Sequence, residues 1–200
     1  MSRSITITSR RESSKNRRKV FLIVCEGSKT EPNYFSAFRL PKNVVDIEGC
    51  GANTGTVVQE AKRLAAEKEY DEVWCVFDRD SFPPNRVNSA IASAEQNGFK
   101  VAFSNESFEL WYVLHFCYLD AELNRHQYCK KLSELLGENY EKNSNQMYER
   151  LIELQPDAIK NAKLLERNIL NKSWAKRLPY TGVHLLVQHL NKYANVLASR

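Results

Sequence analysis

Several things are missing from this chain of 200 residues, and each absence removes a class of function. Its five cysteines (Cys25, Cys50, Cys75, Cys117 and Cys129) nowhere form a C-x-x-C pair, so no zinc ribbon is written into it. Their odd number, and the apolar strand-like surroundings of Cys25 and Cys75, fit buried thiols in a reducing compartment, not a disulfide scaffold. The longest apolar stretch, near residues 110–119, is too short to cross a bilayer. The N-terminus is basic and Ser-rich but has no apolar core, so it is not a secretory signal. These absences together point to a cytoplasmic protein with no membrane partner. G-x-x-x-x-G-K-[ST] is absent, which removes nucleotide binding of the Walker type. So are G-x-S-x-G and any Ser-His-acid order, which sets nucleophilic triads aside. No repeat, no interdomain linker and no low-complexity segment beyond the N-terminal tail stand out. The length fits one sizeable domain that buries its core without staples.

Charge is present but uneven. The net value is +5. Residues 1–19 carry seven basic side chains against Glu12 alone, a balance of +6, which leaves the remainder at −1. Arg17, Arg18 and Lys19 close this tail. It reads either as a solvated arm or as a device for contacting phosphates.

The stretch Val73-Trp-Cys-Val-Phe-Asp-Arg-Asp80 organises the rest. Its apolar run reads as a strand buried on both faces. Two carboxylates at its end need a reason, because burying an unpaired carboxylate is costly. Either they open the loop that follows, since Asp favours turns, or they bind something. In an open α/β sheet ligands gather outside the carboxyl ends of the strands. Residues two apart point the same way, so Asp78 and Asp80 can face one ion. Hard oxygen donors suit Mg²⁺ or Mn²⁺.

Around that strand the pattern alternates. Residues 20–25 form a β-branched run, followed by the turn Glu26-Gly-Ser-Lys-Thr30 and a helix that Thr30 can cap. Residues 43–48 read as a second strand, and Asn53 or Thr54 opens an amphipathic helix with Val57, Val58, Ala61 and Leu64 on one face. After the Asp78 strand, a helix over 86–97 stops at Gly98, and 99–103 make a fourth strand. Ser104 or Asn105 caps a helix beginning at Glu106 that is apolar nearly all round. Helical patterns then cover about 124–136, 144–154, 157–170 and 182–198. This order predicts an α/β fold: a parallel sheet of about four strands flanked by helices, with a helical C-terminal lobe. The expected division is a flexible tail over 1–19, an α/β domain over 20–120 and a helical region over 121–200.

Glu26 follows the first strand directly, at the edge that also carries Asp78 and Asp80. Three such carboxylates would raise each other's pKa unless a cation sat among them, so a divalent metal is expected. Strand-Glu-Gly followed later by a strand ending Asp-x-Asp resembles the Toprim domain of topoisomerases, bacterial primases and several nucleases. A closer resemblance covers most of the chain. Val24-Cys-Glu-Gly-Ser-Lys-Thr-Glu-Pro-Asn-Tyr-Phe35, Asn105-Glu-Ser-Phe-Glu-Leu-Trp111 with His115-Phe116, and Thr181-Gly-Val-His184 are similar to segments of the RloB family. That resemblance implies a Toprim-like fold and a role in bacterial phage defence or abortive infection. It also implies metal-dependent cleavage of DNA or RNA, often beside an AAA- or ABC-type ATPase. Glu26, Asp78 and Asp80 take the places of the Toprim acids.

Two more acids lie in the family segments. Glu31 either joins the metal's shell or stabilises the first turn of its helix. Glu109, among Phe108, Leu110 and Trp111, is either paired or part of a site. Lys29 is a solvated loop lysine or a phosphate ligand. His115 reads as a core histidine or a general base. Lys160, Lys163 and Arg167 share a helix face, with Trp174 and Tyr180 nearby, which suits either a wet surface or a nucleic-acid path. Two rivals to the nuclease stand beside it: a catalytically silent effector bound to an ATPase, and primase-like nucleotidyl transfer, against which no zinc segment precedes the Toprim-like part.

Overall fold

The computed structural model describes residues 19–38, 40–41, 43–51, 54–79, 83–169 and 171–198, with side chains to residue 195. Five strands make one sheet: β1 (Phe21–Cys25), β2 (Val45–Gly49), β3 (Glu72–Asp78), β4 (Lys100–Asn105) and β5 (Tyr180–Thr181). Their order is β2-β1-β3-β4-β5, with the first four parallel and β5 antiparallel to β4. Helices α1 (Thr30–Ser36), α2 (Thr54–Glu67) and α3 (Pro84–Gln96) are the crossovers. A helical C-terminal region follows: α4 (Glu109–Phe116), α5 (Arg125–Leu136), α6 (Met147–Leu151), α7 (Gln155–Arg167) and α8 (Val183–Ala198).

Strand alternation sorts the core into two halves. Ile23, Cys25, Trp74, Val76 and Ala102 face α1 and the C-terminal helices. Leu22, Val24, Val73, Cys75, Phe77 and Phe103 face α2 and α3. Both faces of β3 are thus covered, which is why its sequence is apolar without interruption. The chain leaves β1 in one direction, to β2, and leaves β3 in the other, to β4. The strand order therefore reverses between β1 and β3. At such a switch point the loops part and leave a crevice beyond the carboxyl ends of the strands.

Beside the four expected parallel strands the sheet carries a fifth, β5, two residues long and too short to show a period. Three local expectations are corrected. Ser104 and Asn105 do not cap a helix; they finish β4, and α4 begins three residues beyond Glu106. Asn105 instead donates its side-chain amide to the carbonyls of Ala175 (3.3 Å) and Arg177 (2.7 Å), tying β4 to the strap before β5. Thr30 is the first residue of α1, not its cap, and its hydroxyl donates to Asn143 Oδ1 at 2.9 Å. The stretch 144–154 is broken into α6 and a 3₁₀ turn over Ile152–Leu154.

Candidate functional site

Register decides which acid meets which. Cys25 sits opposite Val76, and the ladder runs one residue further, the Glu26 N–H donating to the Val76 carbonyl at 2.9 Å. By alternation Glu26 follows Leu22 and Val24 toward α2, while Asp78 follows Trp74 and Val76 toward α1 and α4. Glu26 is buried, with Oε1 accepting the Thr54 hydroxyl at 3.3 Å and Oε2 accepting the Asp78 N–H at 2.9 Å. It clamps the end of β3 to the start of α2. Thr54 also lines an open groove of about 400 Å³ between α2 and α3, with Val58, Gln59, Asn85, Arg86 and Ser89.

Asp78 is 4 % exposed. Its Oδ2 accepts the Phe108 N–H at 3.0 Å and Nη2 of Arg125 at 3.3 Å, while its buried Oδ1 has no hydrogen-bond partner among the described residues. Glu31, 5 % exposed, folds back from α1 onto Gly27. A Cβ at residue 27 would lie 2.1 Å from Glu31 Oε2, so the carboxylate fills the space that only glycine leaves. This Oε2 is likewise buried without a partner. Gly49 is the second close approach: a Cβ there would meet the Gly27 carbonyl at 2.8 Å and Pro32 Cγ at 2.9 Å. The turn after β1 is therefore pressed against the end of β2. Glu109, 1 % exposed, heads α4, where the helix N-terminus favours an acid, and accepts the Tyr140 hydroxyl at 3.4 Å.

These carboxylates act on one another. Burial pushes the Asp78 carboxyl well above its ordinary range; the charges of Glu31 and Glu109 push it further, Arg125 partly offsets them, and Glu26 adds to the rise. Burial also raises Glu31, which its own backbone N–H opposes; Glu109 raises it again, and Lys142 and Arg125 lower it. The site is therefore short of positive charge. Among the described residues no three His, Cys, Asp or Glu side chains form a cluster able to hold a metal ion alone. Asp80, expected beside Asp78, lies outside the described residues, as do Arg17 and Arg18. What the site offers is two buried carboxylate oxygens without partners, on Asp78 and Glu31, with Glu109 close enough to repel both. That donor set fits Mg²⁺ or Mn²⁺. Such ions keep several waters and take only one or two carboxylates from the protein, the remainder coming from substrate phosphate.

The other expected residues fall elsewhere. Lys29 is exposed and precedes the first turn of α1, on the same loop as Glu26. Lys19 pairs with Glu72 at 3.2 Å, where β3 starts, at the sheet edge opposite Asp78. Lys160, Lys163 and Arg167 lie on the outer side of α7, whose inner residues Ala158, Ala162 and Leu165 join the core. The aromatics beside them are spent on packing: the Arg177 guanidinium lies 3.8 Å over the Trp174 ring, and Tyr180 is 1 % exposed. His115 is buried, its Nδ1 2.9 Å from the Trp111 carbonyl, and burial lowers its pKa to about 4, which makes it a neutral core residue. Sequence reasoning missed Thr54, Arg125, Tyr140 and Lys142. One signal was legible: Asn124-x-x-Gln127 is a capping box, which places Arg125 at the start of α5. Which way its side chain turns is not encoded locally.

Fold and site together define an α/β protein with a buried acidic site at the carboxyl edge of a mostly parallel sheet. The chain matches the family described as RloB-like protein over residues 21–190, and it belongs to that family. No curated protein and no solved structure matches it closely enough to count as a relative. No helix among the described residues is long and apolar enough to cross a membrane.

Proposed function

We propose that the chain is a Mg²⁺- or Mn²⁺-dependent nuclease of Toprim type, hydrolysing phosphodiester bonds in DNA or RNA as part of bacterial anti-phage defence or abortive infection. One observation carries the reading: Asp78 Oδ1 and Glu31 Oε2 are buried carboxylate oxygens without partners among the described residues, at the switch point of the sheet. A buried carboxylate left unpaired is costly to ionise, and a cation at these oxygens would hold both acids in their ionised form. Asp78, Glu31 and Asp80 would hold it, with Glu26 bracing the Asp78 backbone. Bound there, a divalent ion supplies Lewis acidity to the scissile phosphate and a nucleophile at neutral pH. Glu109, fixed by Tyr140, orients water at the site. Lys29, exposed on the adjoining loop, steadies negative charge on the phosphate. The α2–α3 groove beyond Thr54, on the Glu26 face of the sheet, would carry a strand along the carboxyl edge. Such a protein would work in the cytoplasm, in company with a defence ATPase.

The test is cleavage of RNA and DNA in Mn²⁺ by wild type and by Asp78→Asn. Loss of a ligand should cost at least what loss of a supporting residue does, about 100-fold. Activity that survives this substitution unchanged removes the reading. A second reading, a catalytically silent effector on an ATPase, draws support from Glu26, both of whose oxygens accept hydrogen bonds from the protein. It predicts co-purification with the ATPase and no heat of Mn²⁺ binding.

A further inference from the structure

The two oxygens of Asp78 are in unequal positions. Oδ1 has no partner, whereas Oδ2 is shared between a backbone N–H and the guanidinium of Arg125. The ion pair is lopsided in exposure as well: the Asp78 side chain is 6 % exposed and that of Arg125 38 %. Arg125 therefore reaches down from the solvent side. Its backbone is fixed by the capping box at the head of α5, so the reach depends on the side chain alone. Arg125 is also felt by Glu31. One guanidinium thus supplies positive charge to both acids whose oxygens lack partners. Planar and always charged, it takes phosphate oxygens with the same fork that takes carboxylate.

We propose that Arg125 is a resident counter-ion with two stations. It neutralises Asp78 in the metal-free protein, and turns to a phosphate oxygen of the nucleic acid when a divalent ion claims that carboxylate. This rests on the metal-dependent reading above and adds to it a residue that couples ion to substrate. Two cations at one buried carboxylate repel, so the guanidinium and the ion compete for Asp78. By linkage, an ion that releases Arg125 strengthens the hold on a phosphodiester, and the phosphodiester strengthens the hold on the ion.

Wild type, Arg125→Gln and Arg125→Lys distinguish the possibilities. Mn²⁺ binding is followed by calorimetry. The affinity for short phosphorothioate oligonucleotides, in DNA and RNA forms, is followed by anisotropy with and without Mn²⁺. Arg125→Gln should lower the metal-free melting temperature yet bind Mn²⁺ about tenfold more tightly, near 1.4 kcal/mol. It should also lose the gain in oligonucleotide affinity that Mn²⁺ gives the wild type. Arg125→Lys should keep the wild-type Mn²⁺ affinity and part of the gain. A residue that merely props α5 would lower the melting temperature without tightening Mn²⁺. Unchanged or weaker Mn²⁺ binding in Arg125→Gln overturns the proposal, as does a full oligonucleotide gain. Failure of the wild type itself to bind Mn²⁺ overturns the nuclease reading as well, so the two failures are told apart. Should Arg125→Gln not fold, the side-chain N–H resonance of Arg125, assigned by its loss in Arg125→Lys, must shift when Mg²⁺ is added to wild type. A resonance that stays in place contradicts the exchange.

Discussion

Asp78 keeps one carboxylate oxygen that nothing among the described residues satisfies. Its backbone N–H is spent on Glu26, one carboxylate oxygen is shared by Phe108 and Arg125, and the other is bare. An amide of the same shape removes the buried charge and keeps an acceptor for Phe108. Asp78→Asn should therefore melt at or above the wild-type temperature in EDTA at neutral pH, while losing all stabilisation by Mn²⁺. Calorimetric scans with and without Mn²⁺ check both halves. Gly27 and Gly49 separate site from scaffold. Gly27→Ala meets the far end of the Glu31 side chain and no backbone atom, so it should change stability by less than about 1 kcal/mol yet weaken Mn²⁺ binding by displacing that carboxylate. Gly49→Ala meets backbone and a proline ring instead, and should cost about 1–3 kcal/mol in urea unfolding. At this scale much was legible. An acid at the end of an apolar strand is an anomaly that the sequence displays openly. The partition of those acids was not, because it depends on which side of β1 and β3 each residue falls.

The elements explain that partition. β1 and β3 lie side by side with Cys25 opposite Val76, so Glu26 and Asp78 leave the sheet on opposite faces although both are at its carboxyl edge. Asp78 then keeps company with Glu31 from α1 and Glu109 from α4, the two family-segment acids that sequence reading left between structure and site. Periodicity located β1 to β4 and α1 to α3 within a few residues, since each is amphipathic or buried along its whole length. It missed β5, which is defined by pairing with β4 and not by its own pattern. It began α4 too early because Glu106-Ser-Phe reads as a capped first turn, whereas Phe108 lends its N–H to Asp78. Helix α5 brings a positive charge to the site through Arg125. Asn124→Ala should lower stability by about 1 kcal/mol through loss of the cap, measured by urea denaturation. The same substitution should weaken the Arg125–Asp78 pair, seen as tighter Mn²⁺ binding than in wild type.

Across the whole molecule the sheet is a scaffold that stores unfavourable charge at one edge. The raised native values of Asp78 and Glu31 set the sign of the pH dependence. An acid whose native pKa exceeds its unfolded value is more protonated when folded. Its contribution is fully present below the unfolded value, about 4, and is lost as pH rises through the native one. The metal-free protein should therefore lose stability as pH climbs above the ordinary carboxylate range, and Mn²⁺ should restore it by holding the ionised form. Melting temperatures in EDTA and in Mn²⁺ across that rise in pH give the comparison. The most direct measurement is an anomalous difference map from a crystal soaked in Mn²⁺. The account predicts a peak about 2.1 Å from an oxygen of Asp78 and from an oxygen of Glu31. A map without density between those two carboxylates, at full occupancy of other Mn²⁺ sites, would contradict it.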